Sequence, residues 1–349
     1  MKAFIVFLGS IIITLCISCK SSRSNLTDYF TNTQNIVLDE LTEYPNDSIG
    51  NPSHIHVTKD YIILVEPELE NLLSAYNKKE HHFSRFLSKG RGPNEMINIQ
   101  QINSWINSDN DFCVLHTFEN IFFIFSPQDS IYQLSQKKYL PTNSSTFACD
   151  SNLLIGVLKG EKKHFYLKEN TDSTLMYFGE FPQTNNYPPE IMSELLDGYC
   201  INSSKKKKFA WFSIYGDAFE IYDYKDITSP KLTCHQILSL PIFSVNKIQE
   251  QEHAVFSPDT KIGIVSITSS NEYIFALYNN NTLKDVSKLK DNIFFSNQVL
   301  IYTWDGVPVK ILNLNESVKA ISFDKTNNTL FCIACDENGP KILLKKLDL

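Results

Sequence analysis

His54 and His56 stand two residues apart. In an extended strand that spacing turns both imidazoles to one face. Two imidazoles so placed are a plausible start for a metal site, but a tetrahedral site needs further ligands, and none stands nearby in the sequence. Packing on a strand surface accounts for them as well, so no metal is expected, and both are kept as candidate binding-rim residues. His81 and His82 point opposite ways if extended, and His253 stands alone. Cys332 and Cys335 have a CxxC spacing, but no second pair accompanies them and residues three apart face opposite sides of a strand. Arg91 and Glu95 lie in Ser88-Lys89-Gly90-Arg91-Gly92-Pro93-Asn94-Glu95. Opposite charges on a glycine-rich loop could reach a ligand mouth, so these two join the candidate rim. The bland account is a corner between structural units, its glycines allowing positive φ and Pro93 fixing the next turn. No Gly-x-Ser-x-Gly elbow, P-loop, dinucleotide fingerprint or zinc-binding His-Glu-x-x-His is present. No catalytic residue and no cofactor is therefore assigned.

Cys19 carries a different chemistry. It follows Lys2, a 15-residue apolar stretch over residues 3–17, and Ser18. That order is the one of a secretory signal peptide, and the stretch is shorter than the roughly 20 residues a spanning helix needs. The last residues of the leader resemble a bacterial lipobox, with Cys16 where a branched aliphatic residue is usual. The resemblance implies cleavage before Cys19, acylation of Cys19 as the lipid attachment site, and a membrane as the first partner. The expected division is a signal peptide over 1–18, a flexible tether over 19–33 and a folded domain over 34–349.

The elements that must position these residues are strands. Long amphipathic helices are nearly absent. Short apolar runs alternate with Asn, Asp, Ser, Gly and Lys clusters, the pattern of an all-β fold. One unit recurs: a short strand, a polar turn, then a stronger apolar strand. Residues 55–57 lead to 61–65, 102–105 to 112–115, 146–148 to 153–157, 199–201 to 209–212, 264–267 to 273–278, and 320–323 to 330–333. A third and a fourth strand usually follow. Four strands per unit and six units predict a six-bladed β-propeller with four-stranded antiparallel blades. The last unit stops one strand short, whereas residues 35–41 form a lone strand near the N-terminus. That strand is expected to complete the last blade and close the ring, removing an open edge. In the fifth unit, residues 253–258 are an alternative first strand.

The formal net charge of −7 and the lack of a strongly basic domain give no nucleic-acid footprint. Lys205 to Lys208 form the one basic run, read as a solvated hairpin tip. Asp60, Asp111, Asp150 and Asp324 recur at unit turns, where Asp side chains bond to nearby backbone. The six cysteines beyond Cys19 sit mostly in apolar runs, where a free thiol acts as a small hydrophobe.

The Gly-x-Gly-Pro-x-Glu loop at residues 90–95, the Trp304-Asp305-Gly306-Val307-Pro308-Val309 hairpin and the Lys- and Leu-rich ending resemble the six-bladed propeller lipoproteins common in Bacteroidetes, described as TolB-like or NHL-like. The resemblance covers essentially the whole mature chain. It implies a lipid-anchored cell-envelope protein, outer-membrane-bound, and Lys20 and Arg23 after Cys19 point to the periplasmic side. The expected role is a binding or scaffold module for a protein, peptide or glycan. The alternative is a metal-assisted hydrolase or lyase with its site in the central channel.

Overall fold

The computed structural model describes residues 24–349, except 45–48, 106–107, 117–118, 142, 151–152, 170–173, 183–186, 249–250 and 338. Cys19 and the leader lie outside the described residues. Among the described residues, no helix is long and apolar enough to cross a membrane.

The chain is an all-β propeller. Blade 1 is His54–Val57, Tyr61–Val65, Asn71–Asn77 and Phe83–Ser88. Blade 2 is Gln101–Ser104, Phe112–His116, Ile121–Gln128 and Ile131–Tyr139. Blade 3 is Ser144–Asp150, Leu153–Leu158, Phe165–Glu169 and Leu175–Phe178. Blade 4 is Gly198–Ser203, Lys208–Ser213, Asp217–Asp223 and Lys231–Ser239. In each, successive strands pair antiparallel, and the first lies at the inner edge. The second strand is the most apolar: Tyr61–Val65, Phe112–His116 and Lys208–Ser213 are buried throughout. It is flanked on both sides within its sheet and on both faces by neighbouring blades, which is why it reads as a continuous apolar run.

Blades 5 and 6 share one sheet because Pro308–Asp324 is a single 17-residue strand. Its first part pairs with Ser296–Thr303 as the outer strand of blade 5, after Ile264–Ser269 and Tyr273–Tyr278. Its second part pairs with Thr329–Asp336 as the inner strand of blade 6. Gly339–Lys346 follows, and Asp39–Glu40 supplies the fourth strand, Asp39 opposite Leu344 and Glu40 opposite Leu343. Contacts between inner strands run from blade 1 round to blade 6 and back to blade 1, so the ring is closed by the N-terminal strand. The alternative first strand of the fifth unit does not occur there: Gln251–Phe256 pairs with Phe243–Ile248 in a separate hairpin. That hairpin packs Phe243, Val245, Ala254 and Phe256 against Ile191, Met192 and Leu195 of the helix Pro189–Leu195.

The expected tether is shorter than residues 19–33. Leu26–Tyr29 forms a 3-10 turn, Leu26 is buried between blades 4 and 5, and Thr33–Ile36 pairs in parallel with residues 311–314. An apolar Leu26 beside an open blade interface favours burial over a free chain. Aromatic residues serve packing: Phe86, Phe112, Phe125 and Tyr132 form one cluster, and Phe165, Phe178, Phe209 and Tyr222 another.

A candidate ligand mouth in the central channel

Each inner strand is a sheet edge whose backbone groups face the channel, and edge groups need partners. Side chains of neighbouring inner strands supply them. Ser322 Oγ accepts from Val57 N at 2.9 Å, Ser266 Oγ from Ile321 N at 3.1 Å, and Thr268 Oγ1 from Phe323 N at 3.0 Å. Between blades 2 and 3, Gln101 Nε2 and Asn103 Nδ2 donate to the Phe147 carbonyl at 2.9 and 2.7 Å, and Phe147 N donates to Gln101 Oε1 at 3.2 Å. Thr146 Oγ1 donates to Cys200 Sγ at 2.9 Å. The polar residues at alternate positions of the first strands, such as Gln101 and Asn103 or Ser266 and Thr268, are the sequence signal for this stitching.

Among the described residues, two cavities open along the channel. The larger, about 720 Å³, lies at the ends of the inner strands and is lined from all six blades. Hydroxyl and amide side chains are the largest class in its wall, Asn103, Ser104, Asn202, Ser203, Thr268 and Ser322 among them, beside apolar ones such as Trp105 and Phe323. Lys59, Lys205 and Lys325 stand at its edge with Asp109 and Asp111, and Lys59 pairs with Asp109 at 3.8 Å. Burial pushes the Asp111 carboxyl above its ordinary pKa, against a hydrogen bond from Ser126. The smaller cavity, about 330 Å³, lies at the starts of the inner strands and is lined by Tyr199, Val265, Phe294, Phe295, His54 and Lys319 among others. Ile55, Ile102, Ile201, Ile267 and Ile321 line both. Five of the six blades thus set an isoleucine at the same level, an apolar waist between a polar mouth and a more aromatic one.

The candidate rim residues divide between these places. His54 lines the smaller cavity and His56 the larger, since two residues along a strand parallel to the channel are about 7 Å apart. Both imidazoles are depressed to about 4, by burial first and then by Lys319 for His54 and Lys325 for His56. Ser53 Oγ lies 2.9 Å from His54 Nδ1, and the His56 ring packs on Phe112. Arg91 and Glu95 line neither cavity. They lie on the connection from blade 1 to blade 2, so the four candidates do not form one site.

Glu95 folds back onto its own loop, its Oε2 accepting from Gly92 N at 2.8 Å. The glycines there do not take positive φ, as the sequence suggested. They are required by proximity: a Cβ on Gly90 would stand 1.9 Å from Glu95 Oε2. Gly90→Ala is expected to dislodge the carboxylate and cost about 1.5–3 kcal/mol, the worth of a charge-assisted bond. Chemical denaturation of Gly90→Ala, Glu95→Ala and the double variant checks this. The double variant should be no less stable than Glu95→Ala. Gly306 does need its left-handed φ of +79, and a Cβ there would meet Cys234 Sγ.

The turn carboxylates are staples between blades. Asp324 of blade 6 accepts from Lys78 of blade 1 at 2.7 Å. Asp150 of blade 3 accepts from Lys207 at 2.7 Å and from Tyr224 OH at 3.0 Å, both of blade 4. Asp60 pairs with Lys79 at 2.6 Å and accepts from Asn110 of blade 2. The lysine run is not merely a solvated tip: Lys206 bonds Glu272 at 2.7 Å and Lys208 contacts Asp305, both in blade 5. Among the described residues, no three or more His, Cys, Asp or Glu side chains come together in a way that could hold a metal ion. Cys113 and Cys149 touch through their sulfurs at 3.9 Å as free thiols.

Residues 27–326 match the family described as TolB-like 6-blade propeller-like. Among curated proteins, none matches the sequence. Solved structures give a likeness of fold. The Raptor protein of Chaetomium thermophilum is 11% identical with a TM-score of 0.50, over 86% of this chain and 28% of that one. The Cps50 (Swd1) β-propeller domain of Myceliophteria thermophila is 11% identical with a TM-score of 0.47, over 86% of this chain and 98% of that one. A functionally unknown protein of Desulfotomaculum acetoxidans is 9% identical with a TM-score of 0.44, over 83% of this chain and 79% of that one.

Proposed function

We infer that this chain, which belongs to the TolB-like six-blade propeller family, is a binding or scaffold module of the bacterial cell envelope, tethered through an acylated Cys19 on the periplasmic side of the outer membrane. The observation that carries the binding role is the 720 Å³ mouth, built by all six blades and lined by hydroxyls and amides among apolar side chains, with three lysines and three aspartates whose charges balance. Such a wall offers both donors and acceptors to a ligand. It suits an uncharged polar chain, a peptide backbone or a glycan, better than a strongly charged one. A preformed concave site with few placed polar groups is the usual form of a ligand pocket.

A photocrosslinking residue at Asn271, on the mouth, is the test, with one at Tyr139, on the outer strand of blade 2, as control. Crosslinks are formed in the intact envelope and identified by mass spectrometry. The expected result is one reproducible partner or glycan at Asn271 and none at Tyr139, lost when Thr326→Trp fills the mouth. Equal labelling at both positions, or none at Asn271, would sink the reading. Anchoring is tested separately: Cys19→Ala should abolish acyl incorporation and membrane association.

A further inference from the structure

We propose that the propeller lies with the face bearing its blade-to-blade connections against the lipid bilayer, and with the wide polar mouth turned away from it. This rests on the acylation of Cys19 proposed above.

Each inner strand runs from the connection face to the face of the first hairpin turns, so the small cavity opens on the former and the 720 Å³ mouth on the latter. The described chain enters at the connection face. Lys261 Nζ donates to Asn25 Oδ1 at 2.9 Å. Lys261 lies on the connection into blade 5, bridges to Thr282, and accepts through its carbonyl from Gly216 N. Thr282 and Gly216 both sit in loops joining second to third strands, which open on this same face. Six residues, 20–25, lead from Cys19 to the end of Asn25. Fully extended they reach about 20 Å. A blade strand of six residues is itself about 20 Å long, so the tether cannot carry the lipid around to the mouth side and still let that side rest on the bilayer.

The same face carries what an interface needs. Ile242, Val286, Phe294, Val255 and Tyr187 are exposed by 54, 45, 41, 39 and 39%. They belong to the insertions of this face: the helix Pro189–Leu195 and its approach, the hairpin of Phe243–Ile248 and Gln251–Phe256, and the helical segment from Leu283 to Phe294. These insertions adjoin, since Thr260 Oγ1 donates to the Ile242 carbonyl and Leu283 N to the Thr260 carbonyl. Exposed Lys284, Lys288 and Lys290 surround Val286, with Lys284 paired to Asp259 and Asp285 capping the turn. Leu283 and Leu289 pack inward against the core of blades 5 and 6. Apolar side chains set among lysines are the composition of segments that rest in the headgroup region. On the opposite face, exposed Val307, Ile131 and Leu232 stand on three different blades.

The test uses the acylated full-length protein in vesicles of phosphatidylethanolamine and phosphatidylglycerol with brominated acyl chains. Val286→Trp and Phe294→Trp report the connection face, and Val307→Trp the mouth face. The three native tryptophans give a common background. The expected result is loss of about half the added emission at 286 and 294 and none at 307, because an interfacial side chain sits about 5–10 Å into the acyl boundary. Quenching at 307, equal quenching at all three, or none at any in protein that floats with the vesicles would overturn the orientation. Should Val286→Trp not fold, Phe294→Trp alone decides. Protein without incorporated acyl chain that fails to float would instead remove the anchor, and the orientation with it.

Discussion

Lys261→Ala is expected to destabilise the fold by about 3–5 kcal/mol, the usual cost of removing one partner of a buried ion pair. Lys261 Nζ donates to Asp217 Oδ2 at 2.6 Å and also contacts the Tyr278 hydroxyl. Asp217 is fully buried, and its pKa is raised by burial before Lys261 and Tyr278 pull it down. Without Lys261 the carboxylate has no cation to offset desolvation, so its pKa climbs further. A carboxyl whose folded pKa lies above its unfolded value is penalised as pH rises through that value. The deficit of Lys261→Ala should therefore widen from pH 5 to pH 8, and Asp217→Asn in the same chain should recover part of it. Urea titrations of the four variants at both pH values measure this. A deficit below about 1 kcal/mol, the worth of an exposed pair, would show that Asp217 is solvated in solution.

The second large effect is acid lability centred on His164. This ring is buried against Phe165, Phe181 and Trp211, at centroid distances of 4.0, 4.9 and 4.5 Å. Burial depresses its pKa to about 3, only partly offset by the Leu196 backbone. The unfolded chain protonates near 6.5, so stability from the neutral ring is complete above that pH and is lost as pH falls toward 3. At about 1.4 kcal/mol per unit, the whole window is worth on the order of 5 kcal/mol. His54 and His56 act in the same sense, reduced by their partial exposure. Asp111, Asp217 and Glu220, raised by burial, act in the opposite sense. His164→Phe isolates the one ring. Its melting temperature should match the parent at pH 7.5 within a few degrees and exceed it clearly at pH 4.5. Parallel pH curves for the two proteins would refute the assignment.

Much of the architecture could be read before any coordinates, for a physical reason. The second strand of each blade is covered on both faces, so it writes a continuous apolar run, and the turns between first and second strands collect Asp and Asn. Ring closure is legible because residues 35–41 read as a strand with no unit of its own, although only Asp39–Glu40 pairs in blade 6 while Thr33–Ile36 lies along the outer strand of blade 5. The hairpin of Phe243–Ile248 and Gln251–Phe256 competed for a blade position because a two-stranded insertion has the same alternation as a blade. The shared strand Pro308–Asp324 was read as two pieces, since its halves serve different blades. The mouth was hardly legible. Its wall is made of one or two residues from each unit, and Ser or Asn at a strand end is indistinguishable from a turn residue. The inter-blade staples were equally hidden: Lys78 and Asp324 lie 246 residues apart, and nothing local marks either as the partner of the other. Glu95 and Gly90 were visible as a motif, but the reason for the glycines was the returning carboxylate, which needs the folded loop.

The seating of Asp39–Glu40 beside Gly339–Lys346 sets an order on synthesis. Along the chain the closing strand precedes its partner by about 300 residues. Until Gly339–Lys346 is in place, that strand has no partner in the ring. A contact that joins nearly the whole chain is slow to form. An early segment left waiting is exposed to wrong pairing or to a chaperone in the meantime. Once seated, the same pairing joins the first and last strands of the ring, so neither Asp39–Glu40 nor Gly339–Lys346 can fray without opening blade 6, and resistance of the ring to limited digestion should be all or none.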